Sequence, residues 1–255
     1  MKLKFLGSCP KDLSSSDSNE DKFTFCVEQA RYALCDGASE SYNSKLWAQI
    51  VADKFVDDPA VTPDWVEAAV VDYELQSGPI TDLSWSKQAA YERGSFSTLL
   101  GVEYNVEYNT IDVLAVGDSI AILLDIEPEV RMVASWPFSD PERFKEHPTL
   151  FSTLRTHNSF VGEANFWTNS GKTLHLEALS RPVLLCMTDA LGEWALKEAL
   201  SGGEGLSTLI AMSSVEELNT LVVVERAAKR MRIDDSTLFI LSFEQGASVN
   251  DLPVP

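Results

Sequence analysis

Tyr32-Ala-Leu-Cys-Asp36-Gly37-Ala-Ser-Glu40 is the stretch on which the fold reading turns. Tyr32 to Cys35 form an unbroken apolar run of strand length, and a carboxylate followed by glycine closes it. A helical pattern begins soon after, at Leu46. This order places Asp36 at the rim of a sheet, on a rigid strand, facing whatever the surrounding loops enclose. Gly37 leaves its backbone open, so its carbonyl can approach a ligand that a Cβ would block. Taken alone, Asp-Gly is an ordinary turn signal. Its neighbourhood adds weight. Asn19-Glu20-Asp21 precedes a second apolar run, Phe23-Thr-Phe-Cys-Val27, and Glu28-Gln-Ala-Arg31 reads as the turn between the two strands. Antiparallel pairing across that turn brings Asp21 and Asp36 to one sheet end, where like charges forced together require a cation.

Outward from this hairpin the patterns alternate in kind. Residues 2–9 read as a strand with one face in water, and the serine-rich segment 10–20 as a loop. Leu46, Trp47, Ile50, Val51 and Phe55 trace a helix face. A second helix opens at Thr62-Pro63-Asp64, with an N-cap, a first-turn proline and a carboxylate where the helix dipole favours it. A weaker third helix fits 81–92. Strands follow at 97–104, 111–116 and 120–124, with short connections that predict an antiparallel meander. Segment 136–172, interrupted by Pro137, Pro141 and Pro148 and rich in aromatics, reads as a packed flap with short helical pieces. A strand at 182–187 runs into Thr188-Asp189-Ala190 and a helix from Leu191 through Leu200. Helical patterns cover 206–212 and 215–231, a last strand covers 238–243, and a frayed tail is expected after 245. The 255 residues read as one domain, 1–255, without a linker or internal repeat.

Composition narrows the function classes. Lys plus Arg number 20 against 39 Asp plus Glu, a formal net charge of −19. Such a surface repels phosphate backbones and anionic membranes, so neither nucleic acid nor membrane is an expected partner. The four cysteines, Cys9, Cys26, Cys35 and Cys186, form no C-x-x-C pair and read as reduced core thiols. No signal peptide and no apolar run of membrane-spanning length is present, which makes the cytoplasm the expected location. His147, His157 and His175 lie without ligand spacing.

Asp21, Asp36, Asp118, Asp189 and Asp234 each adjoin a strand and have glycine, serine or threonine neighbours. They are either five separate turn residues or the rim of one oxygen-only site. The second reading, without clustered His or Cys, points to Mg²⁺ or Mn²⁺. Two such ions, about 3.5–4 Å apart, can activate a bridging hydroxide and clamp both oxygens of an in-line displacement at phosphorus.

These stretches together resemble the metal-dependent protein serine/threonine phosphatases of the PP2C-like (PPM) family, in particular a short bacterial branch. The matching segments are Asn19-Glu-Asp21, Asp36-Gly-Ala-Ser-Glu40 with Leu46-Trp-Ala48, and Gly94-Ser-Phe-Ser-Thr-Leu-Leu-Gly101. Further on come Ala115-Val-Gly-Asp-Ser119, Thr188-Asp-Ala-Leu-Gly-Glu-Trp194 and Asp234-Asp-Ser-Thr-Leu238, so the similarity spans residues 19–238. It implies an α+β fold, a four-layer α-β-β-α sandwich with two antiparallel sheets. By the same similarity Asp36 bridges two metals and the Gly37 carbonyl binds one of them. Asp189 and Asp234 hold the other, while Glu20 and Asp21 hold or orient waters nearby. Asp118 is the candidate ligand of a third, looser ion. The Asp-x-x-Thr spacing selects Asp234 over Asp235 as the last ligand. Asp36 and Asp189 become the catalytic candidates, a phosphorylated protein the expected substrate, and a cognate kinase an implied partner. Segment 136–172 falls where relatives vary beside the active site. Two departures stand out: Ser16 occupies the place of a phosphate-gripping arginine, with Lys11 or a flap arginine as substitutes, and Ala38 that of a histidine. The arginine's loss should weaken phosphate binding, so a PP2C-like binding or sensor module with little or no activity is the rival expectation.

Overall fold

The structure, a computed structural model, describes residues 1–39 and 41–243; the tail expected after 245 lies outside them. The chain opens with β1 (Lys2–Cys9), β2 (Asp21–Cys26) and β3 (Arg31–Asp36), followed by α1 (Ser44–Asp57), α2 (Pro63–Ser77) and α3 (Trp85–Glu92). Next come β4 (Phe96–Ser97), β5 (Leu99–Asn105), β6 (Thr110–Val116), β7 (Ile120–Asp125), β8 (Arg131–Trp136) and β9 (Phe151–Ser152). Then follow α4 (Phe166–Ser170), β10 (Gly171–His175), β11 (Pro182–Met187), α5 (Asp189–Ser201), α6 (Gly205–Ile210), α7 (Val215–Ala227) and β12 (Ser236–Ser242).

Two antiparallel five-stranded sheets result, ordered β1-β12-β11-β7-β8 and β10-β6-β5-β3-β2, with β4 and β9 as a separate pair. The apolar runs explain the layering. Side chains alternate across a strand, so a run without polar interruptions must bury both faces. In β3, Tyr32 and Leu34 point into the space between the sheets, where they meet Leu184, Phe239 and Leu241. Ala33 and Cys35 point outward, under Trp47, Val51 and Phe55 of α1. The other sheet repeats the division: Ala121 and Leu123 of β7 face inward, whereas Ile120 and Ile122 pack with Leu191, Trp194 and Leu218 of α5 and α7. Three cores between four layers make the α-β-β-α sandwich.

The hairpin of β2 and β3 forms in the expected register, with Asp21 opposite Asp36. The Thr62 hydroxyl caps α2 by accepting from the Trp65 amide at 3.2 Å. The expected meander is corrected. β5 and β6 pair as neighbours, but the chain leaves that sheet at Gly117 and β7 pairs with β8 and β11 in the other. A short connection serves a crossing between stacked sheets as well as a hairpin, and spacing alone does not separate the two. The helix expected over 215–231 stops at Ala227 because Lys229 turns left-handed (φ 57°), and the Arg230 amide bonds back to the Glu225 carbonyl at 3.0 Å. Segment 136–172 is packed with short helical pieces, burying Phe144, Phe151, Val161 and Phe166. Cys9, Cys35 and Cys186 are buried free thiols; Cys26 is free and half-buried on the edge strand β2.

Helix α1 lies close enough to its sheet that a Cβ on Gly101 would fall 2.3 Å from the Phe55 ring. That ring is buried on all sides, so the Gly101→Ala variant must displace it. Denaturant unfolding should show a loss of about 1–3 kcal/mol. An unchanged midpoint would mean that the α1 layer tolerates more slack than its packing indicates.

Candidate metal centre

All the strand ends that carry the acidic tips lie at one end of the sandwich, because antiparallel neighbours alternate direction. Asp21 starts β2 and Asp36 ends β3. Asp118 lies in the turn where the chain crosses from β6 to β7, Asp189 is the first residue of α5 beyond β11, and Asp234 precedes β12. Local bonds hold each in place. The Asp36 amide donates to Thr98 Oγ1 at 2.8 Å, the Thr98 amide returns a 2.9 Å bond to the Asp36 carbonyl, and Thr98 Oγ1 lies 3.0 Å from Ser119 Oγ. Gly117 makes the crossing possible: its φ is 107°, and a Cβ there would meet Thr98 Cγ2 at 2.6 Å. Gly37 sits beneath the start of α1, where a Cβ would lie 3.0 Å from the Ser44 carbonyl oxygen.

The electrostatics of this end are those of crowded carboxylates. Burial pushes Asp21 up to about 8; the Thr237 hydroxyl pulls it down, and the charges of Asp235 and Asp189 raise it further. Its Oδ2 accepts from Thr237 Oγ1 at 2.6 Å and Thr188 Oγ1 at 3.1 Å. Its Oδ1 is buried without a partner among the described residues. Asp36, which keeps a window to solvent, is pushed well up by desolvation and then by Asp21, Asp189, Asp234 and Asp118. Asp189 rises to about 7 through burial and the charge of Asp118. Asp118 rises through burial, against the opposing pull of Arg232. Four carboxylates remote in sequence, those of Asp21, Asp36, Asp118 and Asp189, therefore feel the charge of neighbouring aspartates.

Glu20 differs from these. Its Oε2 accepts from Lys11 Nζ at 2.9 Å and its Oε1 from Ser44 Oγ at 2.6 Å. Burial raises its pKa, but bonds from Ser39, Ser44 and Lys11 outweigh that and hold it low. Asp235 is committed to backbone: Oδ1 accepts from the Lys11 amide at 2.6 Å and Oδ2 from the Glu20 amide at 2.8 Å. Asp234, whose Oδ1 accepts only the short-range bond from the Asp235 amide at 3.0 Å, is left to face Asp36 and Asp118. The basic groups named as substitutes for the arginine are already paired, Lys11 with a carboxylate of the site itself and the two flap arginines away from it. Lys11 bridges Glu20 and Ser39, Arg155 grips Glu67 and Glu74, and Arg143 pairs with Glu146 at 2.8 Å.

Sequence reasoning missed Arg232, whose guanidinium contacts the Asp189 carboxylate directly. The basic run Lys229-Arg230-Met231-Arg232 just ahead of Asp234 was the available signal. Ser44, which donates to Glu20, was also missed, and Thr188 and Thr237, though part of the matching segments, gave no sign in sequence that their hydroxyls hold Asp21. Among the described residues, no three His, Cys, Asp or Glu side chains close around one point as they stand. The chemistry of the donors nevertheless suits a hard divalent cation: carboxylate oxygens, mutually repelling, with one buried oxygen unpartnered. A cavity of about 540 Å³ adjoins this end, lined by Gly117 and by Phe138, Arg143, His147 and Phe160 of the 136–172 segment.

The raised pKa values have a sign that stability measurements can read. A carboxylate whose pKa is higher folded than unfolded keeps protons that the unfolded chain has released, so folding weakens as pH climbs. In EDTA the melting temperature should therefore fall between pH 5 and pH 8, and Asp21→Asn should melt higher than the wild type at pH 8. A lower melting temperature for Asp21→Asn at pH 8 would contradict the crowding.

No protein-family model matches the chain, and no curated protein sequence matches it. Solved structures do. Serine/threonine phosphatase Stp1 from Staphylococcus aureus superposes with a TM-score of 0.57 at 14% identity, covering 96% of this chain and 96% of that one. A bacterial serine phosphatase gives 0.52 at 15% identity, covering 90% and 93%. The photosystem II phosphatase PBCP gives 0.52 at 12% identity, covering 96% and 99%. Over nearly its whole length, the chain has the α-β-β-α fold of PP2C-type phosphatases.

Proposed function

We propose that the chain is a Mn²⁺- or Mg²⁺-dependent phosphomonoester hydrolase acting on phosphoserine or phosphothreonine in proteins. The observation that carries this reading is the cluster of raised, mutually repelling carboxylates at one end of the sandwich, with Asp21 Oδ1 left without a partner. Asp36 would serve both ions, with the Gly37 carbonyl helping to hold one and Asp189 and Asp234 the other. Asp118 would serve a third, and Glu20 and Asp21 would bind or orient the surrounding waters. Two bound ions supply Lewis acidity at phosphorus and a nucleophile at neutral pH.

The chain's own residues do the rest. Thr98 fixes Asp36 through its backbone, and Thr188 and Thr237 hold one oxygen of Asp21, leaving the other unpaired among the described residues. Asp235 ties the loops of Lys11 and Glu20 to the start of β12, which preserves the spacing between opposite sheets. The cavity beside Gly117 gives the peptide around a phosphorylated residue a place to lie against the flap. A phosphoprotein substrate implies a kinase that supplies its phosphate. No described helix is long and apolar enough to cross a membrane. A binding module without turnover is the second reading, favoured by the pairing of Lys11 and Arg232 with carboxylates at the site itself.

Hydrolysis of an aryl phosphate and of a phosphothreonine peptide, with Mn²⁺ supplied, separates the two. Asp36→Asn and Asp189→Asn should each lower turnover by about two orders of magnitude or more. Equal rates in both variants and the wild type would remove the catalytic assignment. Mn²⁺ binding with no turnover in the wild type would establish the binding module.

A further inference from the structure

The cation already present among the acidic tips is Arg232. It lies two residues ahead of Asp234, on the loop between α7 and β12, and its Nη2 makes a direct charge contact with Asp189 Oδ2. Its Nε and Nη2 are buried and lack hydrogen-bond partners among the described residues, so the contact is one of charge without the paired geometry of a settled arginine–carboxylate fork. A second carboxylate waits nearby: Nε lies 3.8 Å from Glu193 Oε2. Asp189 and Glu193 are four residues apart on α5, hence neighbours on one helix face. Glu193 Oε1 is already held by Lys197 Nζ at 2.6 Å, which leaves Oε2 for the guanidinium.

We infer that Arg232 is a built-in counter-cation which competes with a divalent ion for Asp189 and passes to Glu193 when that ion binds. The inference rests on the metal-dependent reading proposed above. Several observations converge on it. Asp189 Oδ1 accepts from the Ala190 amide and Oδ2 faces Arg232, so neither oxygen is free. Arg232 also draws down the pKa of both Asp118 and Asp189, so its charge acts on the pair that flanks this corner. The side chain is 36% exposed and thus has room to swing toward the rim. Without an ion the guanidinium relieves repulsion among the aspartates. With an ion present, the same guanidinium would add a like charge at contact distance, a cost of several-fold in affinity unless it departs.

Calorimetric titration of Mn²⁺ into the EDTA-stripped chain at fixed pH tests this without any reference to turnover. Arg232→Gln should bind Mn²⁺ about tenfold more tightly than the wild type, while its metal-free melting temperature drops. Glu193→Gln, which removes the alternative resting place without touching an expected ligand, should bind Mn²⁺ about threefold more weakly. It also keeps the proposal testable if Arg232→Gln does not fold. Equal Mn²⁺ affinity in the wild type and Glu193→Gln, or unchanged or weaker affinity in Arg232→Gln, overturns the competition but leaves the metal-dependent reading standing. No Mn²⁺ binding in any of the three overturns that reading, and this inference with it.

Discussion

Repulsion among carboxylates that the fold forces together is the constraint on which the rest of this molecule depends. Asp21 and Asp36 face each other across a hairpin ladder, a position where like charges oppose pairing. Asp189 and Asp234 approach from the second sheet. Neither sheet could relax the arrangement alone, because β3, β11 and β12, which lead to Asp36, Asp189 and Asp234, are buried along their length. The protein compensates in parts: threonine hydroxyls on Asp21, Lys11 on Glu20, a helix N-terminus under Asp189 and a guanidinium against it. What remains uncompensated, the free oxygen of Asp21, is what a divalent ion would complete.

Three hydrophobic layers make such a concentration of charge tolerable. The inter-sheet core, with Tyr32, Leu100, Phe239 and Leu241, lies beneath the acidic rim and holds the two halves in register. Outer cores under α1 and α5 fix the strand ends that carry Asp36 and Asp189. A site assembled from both sheets needs that stiffness, since a shift of one sheet past the other would separate Asp36 from Asp189. Asp235 serves the same end by bonding the amides of Lys11 and Glu20, the two ends of the loop that joins β1 of one sheet to β2 of the other. Its neighbour Asp234 differs by one position and faces the cluster instead.

Much of the fold was legible because its strands are apolar without interruption. A run such as Tyr32 to Cys35 or Ile120 to Leu124 can satisfy both faces only between layers, and the hairpin turn at 28–31 sets the opposition of Asp21 and Asp36. The edge strands β8 and β10 carry no comparable signal. They are short and partly exposed, and their charged residues would suit a loop equally well. The crossing at Gly117 was illegible for a related reason: three residues of connection serve a hairpin and a change of sheet alike.

At the site, the residue types announced themselves but their relations did not. Sequence alone determined that several aspartates end strands beside glycine, serine or threonine, because turn chemistry and apolar periodicity are local properties. Only the tertiary structure decided which of them meet, that Asp235 is spent on two backbone amides, and that Arg232 reaches Asp189. Those contacts join residues as far apart as Lys11 and Asp235. Whether two such groups touch depends on how the sheets stack, which no local pattern encodes.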